Sequence, residues 1–319
     1  MLWRLAQFEY AGEADIYDAV LALDWPSYFG VERTIRVNVT AQKSPLRSLE
    51  FITLRIKDAV CDRFRNDAGK RPSVSRGSPD VRVHAFLEEG RATLYLDTSG
   101  EALFKRGWRR VAGEAPLREN LAAGIILLTG WRPDEPFLDP MCGSGTILME
   151  AAAIALGVPP GGKRAFAFEK FRTFDRKLWE RVRSQTSARK KAVRILGSDN
   201  NARALDAARK NLAAAGFGAA VKIERADILE RNAPADSGVM LANPPYGERT
   251  GAEEALARFY PRLGDALKRN FAGWRCFFFT ADLRLPKLIR LEPSGRTPLW
   301  NGALECRLYE FEIVSGSYR

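Results

Sequence analysis

The feature that constrains this chain most is the run Val239-Met240-Leu241-Ala242, followed at once by Asn243-Pro244-Pro245-Tyr246. A short β-prone run that stops at two prolines reads as a buried strand ending at the carboxyl edge of a sheet, because the second proline has no N–H to give a ladder. Open α/β sheets keep their ligand sites at that edge. The Asn243 side-chain oxygen and the Pro244 carbonyl, stiffened by Pro245, make two fixed acceptors facing one point, and Tyr246 adds a flat ring beside them. A planar NH2 group fits such a pair. Two acceptors draw on both N–H bonds of an amine conjugated to a ring or carbonyl and return lone-pair density to a nitrogen that is otherwise not nucleophilic. That nitrogen can attack a methyl donor. An ordinary Pro-rich turn after a strand is the structural alternative.

A second turn lies upstream. Pro136-Phe137-Leu138-Asp139 reads as a short strand, Pro140 to Gly145 as a glycine turn, and Thr146 to Leu156 as the helix it opens. Gly143 and Gly145 let the backbone approach a ligand closely. A dinucleotide fold is disfavoured: no third glycine completes GxGxxG, and the next strand-end acid, Asp199, lies far beyond the ~20 residues expected. Val193 to Asp199 is a strand followed by Asn200, Ala202 to Ala215 a helix ended by Gly216, and Val221 to Glu224 a strand leading to Asp227-Ile228. Each acid alone is a cap or turn residue, but Asp139, Asp199 and Asp227 at three successive strand ends read as a ligand set. Glu253 to Phe271 is an amphipathic helix, Arg275 to Thr280 an apolar strand, Asn301-Gly302 a turn, and Leu304 to Ile313 alternates. The expected fold class is α/β, mostly parallel, closing with an antiparallel edge strand.

At 319 residues, 46% hydrophobic and 28% charged, the chain is long enough for two domains. No run approaches the ~18 apolar residues of a membrane span, and Met1-Leu2-Trp3-Arg4 leads into no signal peptide, so a cytoplasmic location without membrane contact is expected. Cys61, Cys142, Cys276 and Cys306 lie far apart, form no CxxC pair and are expected to be reduced. The single histidine, His84, falls in the alternating run Val81 to Leu87 and reads as a strand-face residue. With no ligand cluster, neither a Ser-His triad nor a metal site is indicated.

The net charge of +11 suggests a polyanionic partner. Its excess concentrates between Lys163 and Arg194, where twelve Lys/Arg stand against three acids beside Phe166, Phe168, Phe171 and Phe174. Lys163, Arg164, Lys170, Arg172, Arg189, Lys190 and Lys191 are the candidate RNA-phosphate contacts, and the rings either stack on bases or pack the insert down. The alternative is a solvated basic helix pinned by its aromatics.

In the front of the chain, Leu2 to Ala6 and Ile16 to Leu23 have helical apolar spacing, and Thr34 to Thr40 alternates. Leu49, Ile52, Ile56, Val60 and Phe64 fall on one helical face. Val81 to Leu87 and Ala92 to Thr98 join at Glu88-Glu89-Gly90 as a hairpin. This is a small α+β domain; to residue 110 it holds 18 basic and 15 acidic residues, too small an excess to argue RNA binding by itself. Gly107 to Pro116 reads as a linker and Leu117 to Leu128 as the first helix of the second domain.

Asn243-Pro244-Pro245-Tyr246 resembles the catalytic motif of the amino-methyltransferases that use S-adenosyl-L-methionine and act on adenine N6, guanine N2 or glutamine amides. The extended form Asn243 to Arg249, with Leu138-Asp139-Pro140-Met141-Cys142-Gly143-Ser144-Gly145-Thr146, is similar to the bacterial large-subunit (23S) rRNA guanine-N2 methyltransferases that carry a THUMP domain. The front domain's order and its Ser75 to Val81 lead-in look like THUMP, an RNA-binding module. The likeness covers nearly the whole chain. It implies a THUMP domain at 1–108 and a class I, Rossmann-like methyltransferase domain at 109–319 with a basic insert at 160–194.

The resemblance further implies that Asn243, Pro244, Pro245 and Tyr246 form the catalytic turn. The donor site would comprise Asp139, Pro140, Cys142, Gly143, Gly145, Thr146, Asp199, Asn200, Asp227, Ile228 and Asn243. Asp139 would favour the donor's ammonium and sulfonium, Asp199 its ribose hydroxyls, Asp227 its adenine amine and Ile228 the ring, with Ala115 to Glu119 beside the methionine end. Cys142 stands in the donor loop and not in the catalytic turn, so it reads as a small packing residue. The implied partner is structured ribosomal RNA before subunit assembly is complete. Family members carry a further amino-terminal piece, and Leu2 to Ala6 resembles an interior helix of it, so a shortened amino terminus is expected. Methylation of tRNA guanine N2, of DNA or RNA adenine N6, or of protein glutamine remains open, as does a non-catalytic RNA-binding or remodelling protein with a vestigial donor site.

Overall fold

A chain whose front half alternates between period-2 and period-3.6 apolar patterns must bury helices against one sheet face, and it does so here. The computed structural model describes residues 1–108, 111, 117–162, 164–185, 192–244 and 252–314. The chain folds as two units, Met1–Leu103 with Arg164–Gln185, and Phe104–Lys163 with Thr186–Arg319. The first unit begins with β1 (Leu2–Glu9), α1 (Glu13–Leu21), α2 (Trp25–Tyr28), β2 (Ile35–Ala41), α3 (Leu49–Ala68), β3 (Val81–Glu88) and β4 (Arg91–Asp97). Its sheet has the order β1-β4-β3-β2, with β2 parallel to β3 and the other pairs antiparallel. Val81, Val83, Ala85 and Leu87 point into the core, where Ile52, Ile56, Val60 and Phe64 of α3 meet them. Ser48 caps α3 by accepting from the Phe51 N–H at 3.2 Å. His84 is half-buried on the other strand face, and burial pushes its imidazole pKa down.

Leu2 to Ala6 is a strand and not the expected helix. Apolar residues at 2, 3, 5, 6 and 8 satisfy both periodicities, and the free edge of β4 decides between them: Leu2 pairs with Asp97 and Glu9 with Arg91, across an irregularity between Arg4 and Ala6. Leu5 and Phe8 then reach the core.

The second unit continues with α4 (Glu119–Leu128), β5 (Phe137–Asp139) and α5 (Thr146–Leu156). The chain then enters the insert, whose helix α6 (Arg176–Ser184) belongs to the first unit, before β6 (Ile195–Asp199), α7 (Ala202–Ala215), β7 (Val221–Arg225), β8 (Gly238–Ala242), α8 (Ala252–Asn270), β9 (Trp274–Thr280), α9 (Leu285–Ile289), β10 (Gly295–Asn301) and β11 (Leu304–Glu312). The sheet order is β10-β11-β9-β8-β5-β6-β7. Strands β5 to β9 are parallel, and β11 runs antiparallel to both β9 and β10. The antiparallel strand thus lies one position inside the expected edge, and β10 is outermost. β8 is buried on both faces, as an uninterrupted apolar run requires. Val239 and Leu241 join the layer of α4, α5 and α7, and Met240 joins that of α8 and α9.

The insert corrects the expected domain plan. Residues 164–185, expected within the methyltransferase domain, fall in the first unit. Phe171 is buried in that unit's core and Phe168 packs against it, while Trp179 of α6 meets the rings of Phe166 and Phe168 edge-on at 5.7 and 5.0 Å. Among the described residues no helix is long and apolar enough to cross a membrane.

Candidate active site

The second sheet reverses its direction of growth between β5 and β8. From β5 the chain steps outward to β6 and β7, then returns to lay β8 on the other side of β5. Crevices at the carboxyl ends of such a strand pair are where ligands bind. Asp139 ends β5 and Asn243-Pro244 follow β8, so both sequence motifs arrive at this one switch point. Asn243 is half-buried and Pro244 buried. Pro245 and Tyr246 lie outside the described residues.

The glycine turn is held by β6. The Cys142 N–H donates to the Ser198 carbonyl at 2.9 Å, and the Gly143 N–H donates to the Asp199 carboxylate at 2.9 Å. The other Asp199 oxygen accepts from the Asn201 N–H at 2.9 Å. Two carboxylate oxygens offer about four lone-pair sites, so Asp199 keeps acceptor capacity for a pair of hydroxyls. The two glycines differ in what they permit. Gly145, at φ +85°, sits where an added Cβ would come to 3.2 Å from the Ala208 Cβ of α7, so its smallness serves helix packing. Gly143, at φ +52°, has open space where a side chain would be, and that is the glycine a ligand can approach.

Asp139 is 1% exposed and accepts the Met141 N–H at 3.2 Å. Burial raises its carboxyl well above the ordinary value, that one hydrogen bond opposes the rise, and the nearby Asp199 adds to it. A cationic ligand group would favour the charged form of such a carboxyl. The neighbouring Cys142 is buried and its thiol pKa is raised by burial, which makes it a packing residue and no nucleophile. Pro140 is buried, Thr146 opens α5 at 6% exposure, and Asn200 is exposed with its carbonyl accepting from Arg225 at 3.1 Å. Asp227 is half-buried and turns its carboxylate onto the Leu229 N–H at 2.9 Å. Ile228 is 3% exposed among Leu138 and Met240 in the α8 layer.

Three groups here escape sequence reasoning. Asn211 of α7 is fully buried; its carbonyl oxygen accepts the Val111 N–H at 2.9 Å, and its amide donates to Val111 O at 2.9 Å and Ser144 O at 3.0 Å. It thereby ties the segment preceding α4 to the glycine turn. Arg106 and Glu150 form a buried ion pair at 3.1 Å; burial raises the Glu150 carboxyl, Arg106 opposes this, and Glu119 at the start of α4 reinforces it. Beyond β9, Asp282 accepts from the Arg284 side chain at two positions, both 2.9 Å, and its own N–H donates to Thr280 Oγ1 at 3.0 Å. This cluster lies one strand from Asn243, since β8 and β9 are paired from Gly238↔Trp274 to Ala242↔Phe278. The partners of Asn211 and Arg106 stand 44 to 100 residues away, so no local spacing announces them.

The expected RNA contacts divide. Arg164 donates to the carbonyls of Ser99, Glu101 and Ala102, and Lys170 pairs with Asp80 at 2.6 Å, so both anchor the insert to the first unit. The Arg172 side chain is exposed. Lys163, Arg189, Lys190 and Lys191 lie outside the described residues.

Comparison with known proteins agrees with this architecture. Residues 106–310 match the RMKL-like methyltransferase domain and residues 10–97 the THUMP domain. The chain is 35% identical over 317 residues to slr0064 of Synechocystis sp., covering 98% of this chain and 83% of that one. It is 38% identical to the ribosomal RNA large subunit methyltransferase K/L of Aeromonas hydrophila, covering 98% of this chain but 47% of that one, so it spans about half the length of the K/L relatives it matches. Among solved structures, SMU.472 complexed with SAH superposes with a TM-score of 0.87 at 32% identity, covering 97% of this chain and 83% of that one. The chain therefore belongs to the RMKL-like family of class I, S-adenosylmethionine-dependent methyltransferases, with a THUMP domain preceding the methyltransferase domain.

Proposed function

We propose that this protein methylates the exocyclic N2 amine of a guanine in large-subunit ribosomal RNA. The observation that carries the reading is the convergence of Asn243-Pro244 and Asp139 on one switch point, at the carboxyl ends of β8 and β5. The donor residues fit their ligand: a buried carboxyl short of a cation at Asp139, spare acceptor capacity at Asp199 and an open approach at Gly143. When bound, S-adenosylmethionine supplies an electrophilic methyl group on a sulfonium. The Asn243 side-chain oxygen and the Pro244 carbonyl accept the two N–H bonds of the target amine and orient its lone pair. Tyr246 stacks on the flipped base for about 1–3 kcal/mol, offsetting an unstacking cost of a few kcal/mol.

Guanine in rRNA is favoured by the likeness of Asn243 to Arg249 and Leu138 to Thr146 to guanine-N2 enzymes, by the THUMP domain, and by relatives named for large-subunit rRNA. The substrate would be structured RNA met in the cytoplasm before the subunit is complete. The test incubates an in vitro large-subunit rRNA transcript with the protein and S-adenosylmethionine, then digests it for mass spectrometry. N2-methylguanosine is expected. Only N6-methyladenosine, or no methylated nucleoside at all, would overturn the assignment, and transfer to tRNA alone would move the substrate within it.

A further inference from the structure

The helix α6 carries four cations and a single acid. Its sequence is Arg176-Lys177-Leu178-Trp179-Glu180-Arg181-Val182-Arg183-Ser184, and none of its residues is buried. Arg176 and Lys177 sit in the first turn, where the helix dipole is positive and no acidic residue helps; only the Asp175 cap, accepting from the Leu178 N–H at 2.9 Å, compensates. Lys177 and Arg181 are four residues apart, a like-charge pair, and the single acid Glu180, four residues from Arg176 and three from Lys177, offsets only part of the positive charge. Among the described residues, Arg176, Lys177 and Arg181 form no ion pair, whereas Arg183 lies over the Trp179 ring at 5.7 Å. A helix that carries four cations against one acid and half-buries only Trp179 gains most from a polyanion laid across its charged side.

Its placement adds a second argument. Without the insert the first unit is not basic: residues 1–103 carry 14 Lys/Arg and 15 acids, whereas residues 164–185 add seven and three. The cations nearest the anchor, Arg164 and Lys170, are turned inward onto Ser99, Glu101, Ala102 and Asp80. Arg172 and the α6 cations, Arg176, Lys177, Arg181 and Arg183, are exposed.

Resting on the RNA-methyltransferase reading, we infer that Arg176, Lys177 and Arg181 of α6 form the phosphate-binding row of a composite THUMP-plus-insert surface, on which the RNA backbone lies. The Phe166, Phe168 and Trp179 cluster is the foundation that holds the row in place rather than a stacking platform. Sequence specificity is not expected from such contacts; they position.

The full-length protein is tested for binding to a large-subunit rRNA transcript across a salt series, as R176Q/K177Q/R181Q and as the equal-charge control K210Q/K222Q/R296Q, whose three positions are exposed on the second unit. Each phosphate contact contributes about 0.7–0.9 to the slope of log affinity against log salt. The α6 variant is expected to flatten the slope by about 2–3 and to bind about tenfold or more weakly near 0.15 M salt, with an unchanged melting temperature because α6 buries no residue. The control should lose less than about one unit of slope. An α6 variant with wild-type slope and affinity overturns the inference, and so does a control that loses as much. Failure of the wild type itself to bind the transcript would reject the RNA reading, and this proposal with it.

Discussion

The donor turn and the insert helix α6 carry their charge in opposite ways. At the turn it is inside: Asp139 is 1% exposed, receives one backbone hydrogen bond and has Asp199 as its charged neighbour. On α6 it is outside, with no residue buried. Removing an ion from water costs several kcal/mol unless something pairs with it, whereas an exposed cation is worth at most about 1 kcal/mol to a single partner. One ligand group therefore changes the energy of the donor turn greatly, and only a row of phosphates changes that of α6. Single substitutions at the sheet edge should act by orders of magnitude, and single substitutions in the insert should barely act.

Asn243→Ala is the sharpest probe of the first half of that statement. Turnover should fall by about 100- to 1000-fold or more, while calorimetry shows donor affinity within about twofold of wild type, since the acceptor pair is used in transfer. Unchanged turnover would remove Asn243 from the reaction. Asp139→Asn should act on the other ligand, weakening S-adenosylmethionine binding by about 10- to 100-fold as a charge-assisted contact is lost. Its effect on the unliganded fold has the opposite sign. A carboxyl whose folded pKa is raised binds more protons folded than unfolded, so stability falls as pH rises above the ordinary value of 3.8 toward the folded one. Asparagine carries no such loss, so the variant should melt higher at neutral pH while binding donor worse. In the wild type, donor affinity should weaken as pH falls into the raised range. A variant that melts lower would show that the Asp139 carboxyl stabilises the unliganded fold through its own hydrogen bonding.

How far the sequence discloses this site depends on how its parts are spaced. Asn243-Pro244 and the Pro140 to Gly145 turn are contiguous runs beside short strands, so pattern alone locates them and topology alone brings them together. The fold class is legible for the same reason: apolar runs of strand length alternate with helical periodicity. Asn211 is invisible because its meaning lies in carbonyls 67 and 100 residues away. The Arg106–Glu150 pair and the Thr280-Asp282-Arg284 cluster depend likewise on tertiary contact or on turn geometry. In the insert, composition gives the charge but not the address: the aromatic residues that pin 164–185 to the first unit find their core in a sheet built 70 or more residues earlier. β1 fails for a third reason, since its apolar spacing fits two periods and only the edge of β4 chooses.

Asn211 tests whether the donor turn is preorganised by its neighbours. Asn211→Ala leaves the Val111 N–H, Val111 O and Ser144 O short of partners, a cost of about 1–3 kcal/mol. If the residue only supports the fold, the melting temperature falls and the kinetic constants do not change. If it holds the turn in register for the ligand, KM for S-adenosylmethionine rises about tenfold with kcat nearly unchanged, and Asn211→Gln does not restore it, because its longer side chain displaces the amide from Ser144.

The smallest expected effect is at the insert's anchor, and its sign with pH is fixed. Burial of Asp80 opposes its charge, but hydrogen bonds from Lys170 and from the backbone and side chain of Thr34 outweigh this and hold the carboxyl at about 2. Because the folded value is depressed, the folded state binds fewer protons than the unfolded one between the two values, so the stabilisation is complete above the ordinary 3.8 and is lost as pH falls through about 2. Both side chains remain partly exposed, 25% for Asp80 and 38% for Lys170, so solvent screening keeps the pair's contribution at about 1 kcal/mol or less. Lys170→Ala should therefore lower the melting temperature by a few degrees at pH 7, with the gap from wild type constant down to about pH 5 and closing below about pH 4. Proteolysis between 164 and 185 should quicken in the variant while methyl transfer to a free nucleoside acceptor, which needs no grip on RNA, does not change. A gap that stays open to acid would mean that Lys170 acts by packing and not through its charge pair with Asp80, whereas no gap at pH 7 would mean that the aromatic foundation and Arg164 hold the insert without it.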